Sequence, residues 1–219
     1  MLVAHQARLI GENGDQGDRF DTAPGLDQQD IFAAGPWPLI YGFSQTFRSS
    51  INQYADLWQS SISHFSPAEQ MGHDRRIAFI AANMGEVRLL DSELVLYRQH
   101  SNNLFGGSHS KLEVAYRDRS TLNARRKKQA LLIARAAEDR TLILESLLSS
   151  GVMVPATYLN RFRSFLRIAK HRANVYSPLP RRTKLAAIGK LVCLRAYGRS
   201  NRWRFPPSYL LDDLRNAVS

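Results

Sequence analysis

A single cysteine, Cys193, in 219 residues excludes an internal disulfide and fits a reducing compartment. Long apolar runs are missing too. The longest apolar-leaning stretch, Leu185 to Leu194, carries Lys190 and is far short of the about 20 residues a bilayer-spanning helix needs. Residues Met1 to Arg8 have neither a basic n-region nor an apolar h-region, so no signal peptide is expected. No internal repeat is visible. Positive charge is scarce in one half only: residues 1–110 hold 7 Lys and Arg against 12 Asp and Glu, whereas residues 111–219 hold 23 against 7. The net charge of +11 therefore belongs to the C-terminal half, which favours anionic partners such as a membrane surface, nucleic acid or a phosphorylated substrate. What is present is core-forming material: 44% hydrophobic residues and three Trp argue against a disordered chain.

Leu2 to Ile10 alternates and reads as a strand. Gly11-Glu12-Asn13-Gly14-Asp15 is a turn, followed by an acidic, Gly-rich loop to about Asp30. Trp37 to Phe43 reads as a short extended piece, since Pro36 and Pro38 exclude a helix interior, and helical structure is expected from Phe47 onward. Ser66-Pro67-Ala68-Glu69 has the pattern of a helix start. Asp74 to Met84 reads as a largely buried helix closed by Gly85. Val87 to Leu90 and Glu93 to Tyr97 read as two strands around Asp91-Ser92. After Gly106-Gly107 the breakers thin out. Leu112 to Leu148 predicts one or two long helices. Pro155 starts another, with Leu159, Phe162, Phe165 and Ala169 at helical spacing. Thr183–Arg195 and Pro207–Val218 complete the series. A boundary near residue 108 is expected, with α/β structure in 1–108 and a basic all-α extension in 109–219.

Two polar islands interrupt this pattern. Met71-Gly72-His73-Asp74 opens the buried helix, and the strand through Tyr97 runs into Arg98-Gln99-His100-Ser101-Asn102-Asn103. One helix and one strand can bring them together. A carboxylate there can act as a base. An imidazole can hold a metal or an anionic leaving group, and a guanidinium binds oxyanions in a fork. Each residue also has a plainer reading. Asp74 is equally a first-turn acid favoured by the helix dipole. His100 is equally a polar strand end, Arg98 an exposed strand charge, and Asn103 a loop residue satisfying backbone groups. Trp37, Tyr41 and Phe43 can stack on sugar rings or simply fill a core. Arg125-Arg126-Lys127-Lys128 and Arg181-Arg182 can meet anionic lipid or face water.

In order and spacing, several segments resemble the back half of bacterial family 2 glycosyltransferases of the GT-A fold, rhamnosyltransferase-like members in particular. They are Leu9-Ile10-Gly11-Glu12-Asn13-Gly14, Gly42-Phe43-Ser44-Gln45-Thr46-Phe47-Arg48, Gly72-His73-Asp74, Gly85-Glu86-Val87-Arg88-Leu89-Leu90, and Tyr97-Arg98-Gln99-His100-Ser101-Asn102-Asn103. Arg195-Ala196-Tyr197-Gly198 and Leu210-Leu211-Asp212-Asp213-Leu214 are similar to the helical tail of such enzymes. The resemblance implies the back half of a GT-A-like mixed sheet with helices, followed by the helical extension. It implies inverting transfer of a sugar from a nucleotide-sugar donor to a saccharide or lipid-linked acceptor in surface polysaccharide synthesis. Asp74 would be the catalytic base. Trp37, Tyr41, Gly42, His73, Arg98 and Asn103 would line the sugar pocket, and His100 would be a metal ligand. A divalent metal, Mn or Mg, is expected of the family.

The family's nucleotide-binding βαβ half and its Asp-x-Asp motif have no counterpart upstream of Leu2. Asp15-Gln16-Gly17-Asp18 and Asp27-Gln28-Gln29-Asp30 have the wrong spacing. The expectation is a shortened or split enzyme, weakly active or inactive alone, whose sheet remnant self-associates or pairs with a missing half. Its location would be cytoplasmic, peripheral at the inner face of the membrane through residues 111–219. Two competitors are a basic helical nucleic-acid-binding protein and a non-catalytic membrane-docking remnant. Against the first, no recognition motif interleaves aromatic and basic residues.

Overall fold

The structure, a computed structural model, describes residues 1–33, 35–59, 61–63, 70–99, 119–198 and 203–218. It is a mixed α/β structure with one small sheet and six helices among the described residues. The strands are β1 (Leu2–Ile10), β2 (Gln16–Phe20), β3 (Gln45–Phe47) and β4 (Val87–Arg98). The helices are α1 (Asp56–Gln59), α2 (His73–Met84), α3 (Arg119–Ser149), α4 (Ala156–Tyr176), α5 (Arg181–Cys193) and α6 (Ser208–Val218). Short 3-10 turns cover Gly42–Ser44 and Ser49–Tyr54. The helix start read at Ser66-Pro67-Ala68-Glu69 lies outside the described residues.

β1 is the middle of the sheet. One side pairs antiparallel with β3 along Leu2–Ala4 and with β2 along Ala7–Ile10, and the other pairs parallel with β4 over its whole length. β1 buries Leu2 and Ala4 in alternation and, past the register shifts at Gln6, Ala7, and α2 lies against β1 and β4. Apart from its first turn, α2 is buried from Arg76 to Asn83. It ends where the Gly85 N–H bonds back to the Ala81 carbonyl.

Three sequence expectations are corrected here. The loop expected up to Asp30 contains β2, whose residues Gln16 to Arg19 are all exposed. Exposure removes the apolar alternation that would have marked it as a strand. The extended piece expected at Trp37–Phe43 is irregular and ends in the 3-10 turn, while the strand proper is Gln45–Phe47. The two strands expected around Asp91-Ser92 are one strand. The register steps from Leu90 opposite His5 to Glu93 opposite Gln6, so the polar pair forms a bulge, not a turn. Arg8 and Arg19 face each other across β1 and β2. The bulged segment supplies their counter-charges: Glu93 accepts from Arg8 Nε at 2.7 Å, and Asp91 pairs with Arg19.

The core crosses the boundary placed near residue 108. One cluster joins Leu2, Ile77, Phe79 and Ile80 to Ile143, Leu144 and Leu147 of α3 and to Leu159 and Phe162 of α4. Phe32 is its hub, with edge-on contacts to Phe79, Tyr158 and Phe162 at 5.0–5.9 Å between centroids. The Trp203 indole N–H donates to the Phe32 carbonyl at 2.6 Å. The extension is therefore packed onto the sheet layer.

β1 is paired on both sides, so it is not the open strand that a missing half would leave. Among the described residues the open edges are those of β4 on one side and of β2 and β3 on the other, and β4 also exposes Leu94 and Leu96 at 63% and 57%. An apolar open edge favours strand-to-strand association. Sedimentation velocity is expected to show self-association at about 100 µM, a concentration at which such edges meet. Leu94→Lys with Leu96→Lys should shift the protein to monomer with stability unchanged within about 0.5 kcal/mol, as for surface substitutions. A monomeric parent protein would overturn this.

Candidate functional site

The site begins with a segment that can be neither helix nor central strand, Pro36-Trp37-Pro38. The chain leaves it as coil and tightens over Gly42–Ser44. The Ser44 hydroxyl donates to the Tyr41 carbonyl at 2.7 Å, and the Tyr41 N–H donates to the Thr22 carbonyl at 2.9 Å. Gln45 ties this turn to α2: its amide Nε2 donates to the Ile40 carbonyl at 2.7 Å and to the Asp74 carbonyl at 3.1 Å. A Cβ on Gly42 would lie 3.2 Å from His73 Nε2 and 3.3 Å from Asp74 Cβ. Close approach, not backbone conformation, makes glycine necessary here. Asp74 Oδ1 accepts the Arg75 backbone N–H at 2.8 Å, which fixes the carboxylate at the positive end of α2.

β4 delivers the second part. Phe43 stacks on Tyr97 with centroids 4.4 Å apart and planes at 15°. Phe20 touches Tyr41, Phe43 and Tyr97 at 5.1–6.2 Å. The four rings form one aromatic cluster beside the Gly42 turn. Arg98 follows Tyr97, opposite Ile10. The structure thus brings Tyr41, Gly42, His73 and Asp74 together directly, and Tyr97 joins them through Phe43, whereas Arg98, the next residue of β4, is exposed. Trp37 is elsewhere. Its ring lies 5.4 Å from the Arg140 guanidinium and 5.9 Å from Phe165, which is the core placement weighed for it above. His100 and Asn103 lie outside the described residues, as does the juxtaposition expected of Asp74 and His100.

Residues that the sequence reading left without a role also belong here. Gln45 sits inside the Gly42–Arg48 segment and clamps the turn. Arg75, the neighbour of Asp74, has its guanidinium pulled below the usual arginine pKa by burial, opposed by the charge of Asp74 and by Tyr41. Behind it, burial lowers Arg140 to about 10, against the opposing charge of Asp139. Arg75, Arg140, Trp37, Met71 and Phe79 surround a void of ≈ 10 Å³, room for about one water and none for a sugar. Only the position of Arg75 next to an acid at a helix start pointed to it in the sequence.

Hard divalent ions take several oxygen ligands. Among the described residues no group of three His, Cys, Asp or Glu side chains converges, and Asp74 with His73 falls short of such a set. The described residues do not fit a divalent metal, so no step below is routed through one. No protein-family model, no curated protein sequence and no solved structure matches the chain.

Gly42→Ala tests the close approach. The added methyl must displace His73 or the start of α2 by a few tenths of an ångström. Overpacking of this kind costs about 1–3 kcal/mol, read as a lowered midpoint in urea. Unchanged stability would mean that the turn and the helix are not in contact.

Proposed function

We propose that the chain is glycosyltransferase-like: the back part of a GT-A-like sheet domain carrying a helical extension, acting in inverting sugar transfer from a nucleotide-sugar donor to a saccharide or lipid-linked acceptor. The observation that carries this reading is the Gly42 turn set against His73-Asp74, with Tyr97 joined to it through Phe43. A base and a cluster of aromatic rings are thereby gathered at one end of the sheet, and Arg98 is the next residue along β4.

In this reaction the acceptor hydroxyl oxygen attacks the anomeric carbon from the face opposite the leaving group. The new C–O bond forms as the bond to the diphosphate oxygen breaks, and the configuration inverts. Asp74 takes the hydroxyl proton, and the nucleoside diphosphate leaves with the bonding pair. Arg98 is the cation assigned to that leaving group, since oxyanions are held best by a guanidinium fork. Tyr41 and Tyr97 present apolar ring faces to the C–H face of a sugar. Gly42 leaves the space in which His73 and Asp74 sit close to the backbone. The described residues supply a base and a platform but no phosphate cradle, so turnover by them alone is slow. The basic helices are assigned to an anionic membrane surface, and the location to the inner face of the membrane. No described helix is long and apolar enough to cross a membrane.

The test is transfer from radiolabelled UDP-, GDP- and dTDP-linked sugars to extracted lipid-linked saccharides. Acceptor-dependent incorporation that vanishes in Asp74→Asn supports the reading. Incorporation equal in the two proteins, or absent with every donor, overturns it.

A further inference from the structure

A second concavity, of ≈ 420 Å³, lies between the segment carrying Asp30 and Ala33 and the helical extension. Ligand pockets are usually about 300–1,000 Å³. One stripe of α4 forms its wall: Arg161, Ser164, Phe165 and Ile168, spaced as one helix face. Trp203 and Arg204 complete the lining on the side of the extension. The floor is apolar and rigid, because Trp203 packs edge-on against Phe162 at 5.0 Å and Phe165 at 5.7 Å, and its indole N–H is committed to the Phe32 carbonyl.

The rim is cationic. Arg204 is laid across Gly198, where a Cβ would come within 3.1 Å of its Cδ, and it has no acidic partner among the described residues. Arg161 pairs with Asp30, the one acid lining the cleft. That pair is partly exposed, so exchanging it for another anion costs little. No acidic residue occurs anywhere from Ser146 to Leu211. The walls contributed by the extension therefore present positive charge alone.

We propose that this cleft binds an amphiphilic organophosphate, with the phosphate between Arg204 and Arg161 and an apolar tail on Phe165, Ile168 and Trp203. Guanidinium forks match phosphate oxygens in pairs, the Ser164 hydroxyl adds a donor, and the aromatic floor takes the hydrocarbon. A phosphate monoester suits two guanidinium groups better than a singly charged carboxylate does. The proposal stands on this cleft alone and is independent of the sugar-transfer reading.

Calorimetric titration of the full chain with decyl phosphate, below its micelle concentration, tests it. Saturable binding is expected, with decanol failing to bind and inorganic phosphate binding more weakly. Arg204→Gln should weaken decyl phosphate at least tenfold, the usual scale for losing a charge-assisted hydrogen bond. Asp30→Asn frees Arg161 and should tighten binding about two- to fivefold. It decides the matter if Arg204→Gln does not fold. Vesicles of phosphatidylcholine with and without phosphatidic acid separate the sources. Arg204-dependent pelleting with the phosphatidic acid vesicles marks a bilayer headgroup, and soluble binding without pelleting marks a diffusible organophosphate. Decyl phosphate binding that is absent, matched by decanol, or indifferent to both substitutions overturns the proposal.

Discussion

Asp213→Ala is expected to destabilise the protein by about 3–5 kcal/mol, the range for breaking a buried ion pair from one side. Asp213 and Arg172 are both fully buried. The Asp213 carboxylate on α6 accepts from three donors on two other segments: Arg172 Nε at 3.2 Å and the Tyr176 hydroxyl at 2.6 Å from α4, and the Tyr197 hydroxyl at 2.8 Å from the turn after α5. The Arg172 guanidinium lies 4.4 Å from the centroid of Phe205 and 4.5 Å from that of Tyr209. Its Nη1 and Nη2 are buried without hydrogen-bond partners. Remove the carboxylate and a charge is left among rings with nothing opposite it. Replacing the whole cluster, Arg172→Met, Asp213→Leu, Tyr176→Phe and Tyr197→Phe together, should recover most of the loss, since it removes the ion pair without leaving either hydroxyl unsatisfied. Urea midpoints of the three proteins at pH 7 check both statements. A loss below about 1 kcal/mol for Asp213→Ala would show that water reaches the site.

The same cluster sets an alkaline limit. Burial first, and then Asp213, hold the Tyr176 and Tyr197 hydroxyls above the ordinary tyrosine value of 10.0. A group whose folded pKa is raised stabilises fully below its unfolded pKa and loses that contribution as pH rises above it. Stability should therefore fall from about pH 10 upward. Arg140 acts oppositely, since its lowered pKa favours the folded state as pH climbs through the same window. Tyr197→Phe isolates the tyrosine contribution: its stability curve between pH 9 and 11 should be flatter than that of the parent protein. Parallel curves would place the loss elsewhere.

Asp74→Asn should lower turnover about 10²–10⁴-fold, the range of general base catalysis, with little change in donor KM. Proton removal is realised only in the transition state, so its loss does not weaken substrate binding. The fold should survive. An asparagine oxygen can still accept the Arg75 N–H that Asp74 Oδ1 now accepts, and loss of a first-turn charge costs about 0.3–1 kcal/mol. Equal loss of binding and turnover would instead assign Asp74 a structural task.

What could be read ahead of the structure followed from local periodicity. β1 alternates at its start and α4 repeats at helical spacing because each turns a regular set of side chains to the core, while α2 was legible as a continuous apolar run, since it is buried from Arg76 to Asn83. β2 was not legible: its residues touch water on both faces. Asp91-Ser92 read as a turn because polar pairs between apolar runs usually are turns, and only Arg8 and Arg19, distant in sequence, make it a bulge. The boundary near residue 108 followed charge, but Phe32 and Phe162 pack across it and charge says nothing about packing. At the candidate site, Gly42, His73 and Asp74 were legible as residues. Their close fit, in which a Cβ on Gly42 would lie 3.2–3.3 Å from His73 and Asp74, goes with Gln45 reaching the first turn of α2, a contact no local pattern marks. Trp37 carried two readings because an aromatic ring between prolines serves a sugar and a core equally well. Asp213 is legible in the sequence only as part of a tail pattern, since burial of an acid cannot be inferred from an acidic dipeptide.

The parallel partnership of β1 and β4 has a kinetic consequence. Leu2 meets Val87, and the hairpin, the 3-10 turns and α2 all lie between them in the chain. Closing so large a loop costs entropy before any ladder bond repays it. α3 and α4, by contrast, are neighbours joined through a tight turn at Gly151, whose positive φ of 80° suits glycine. The helical hairpin can assemble within microseconds to milliseconds, the range for structures rich in local contacts. During that interval β1 waits unpaired on the β4 side, and that half-built sheet is the stage at which a newly made chain is most open to chaperones and to mispairing with its own copies.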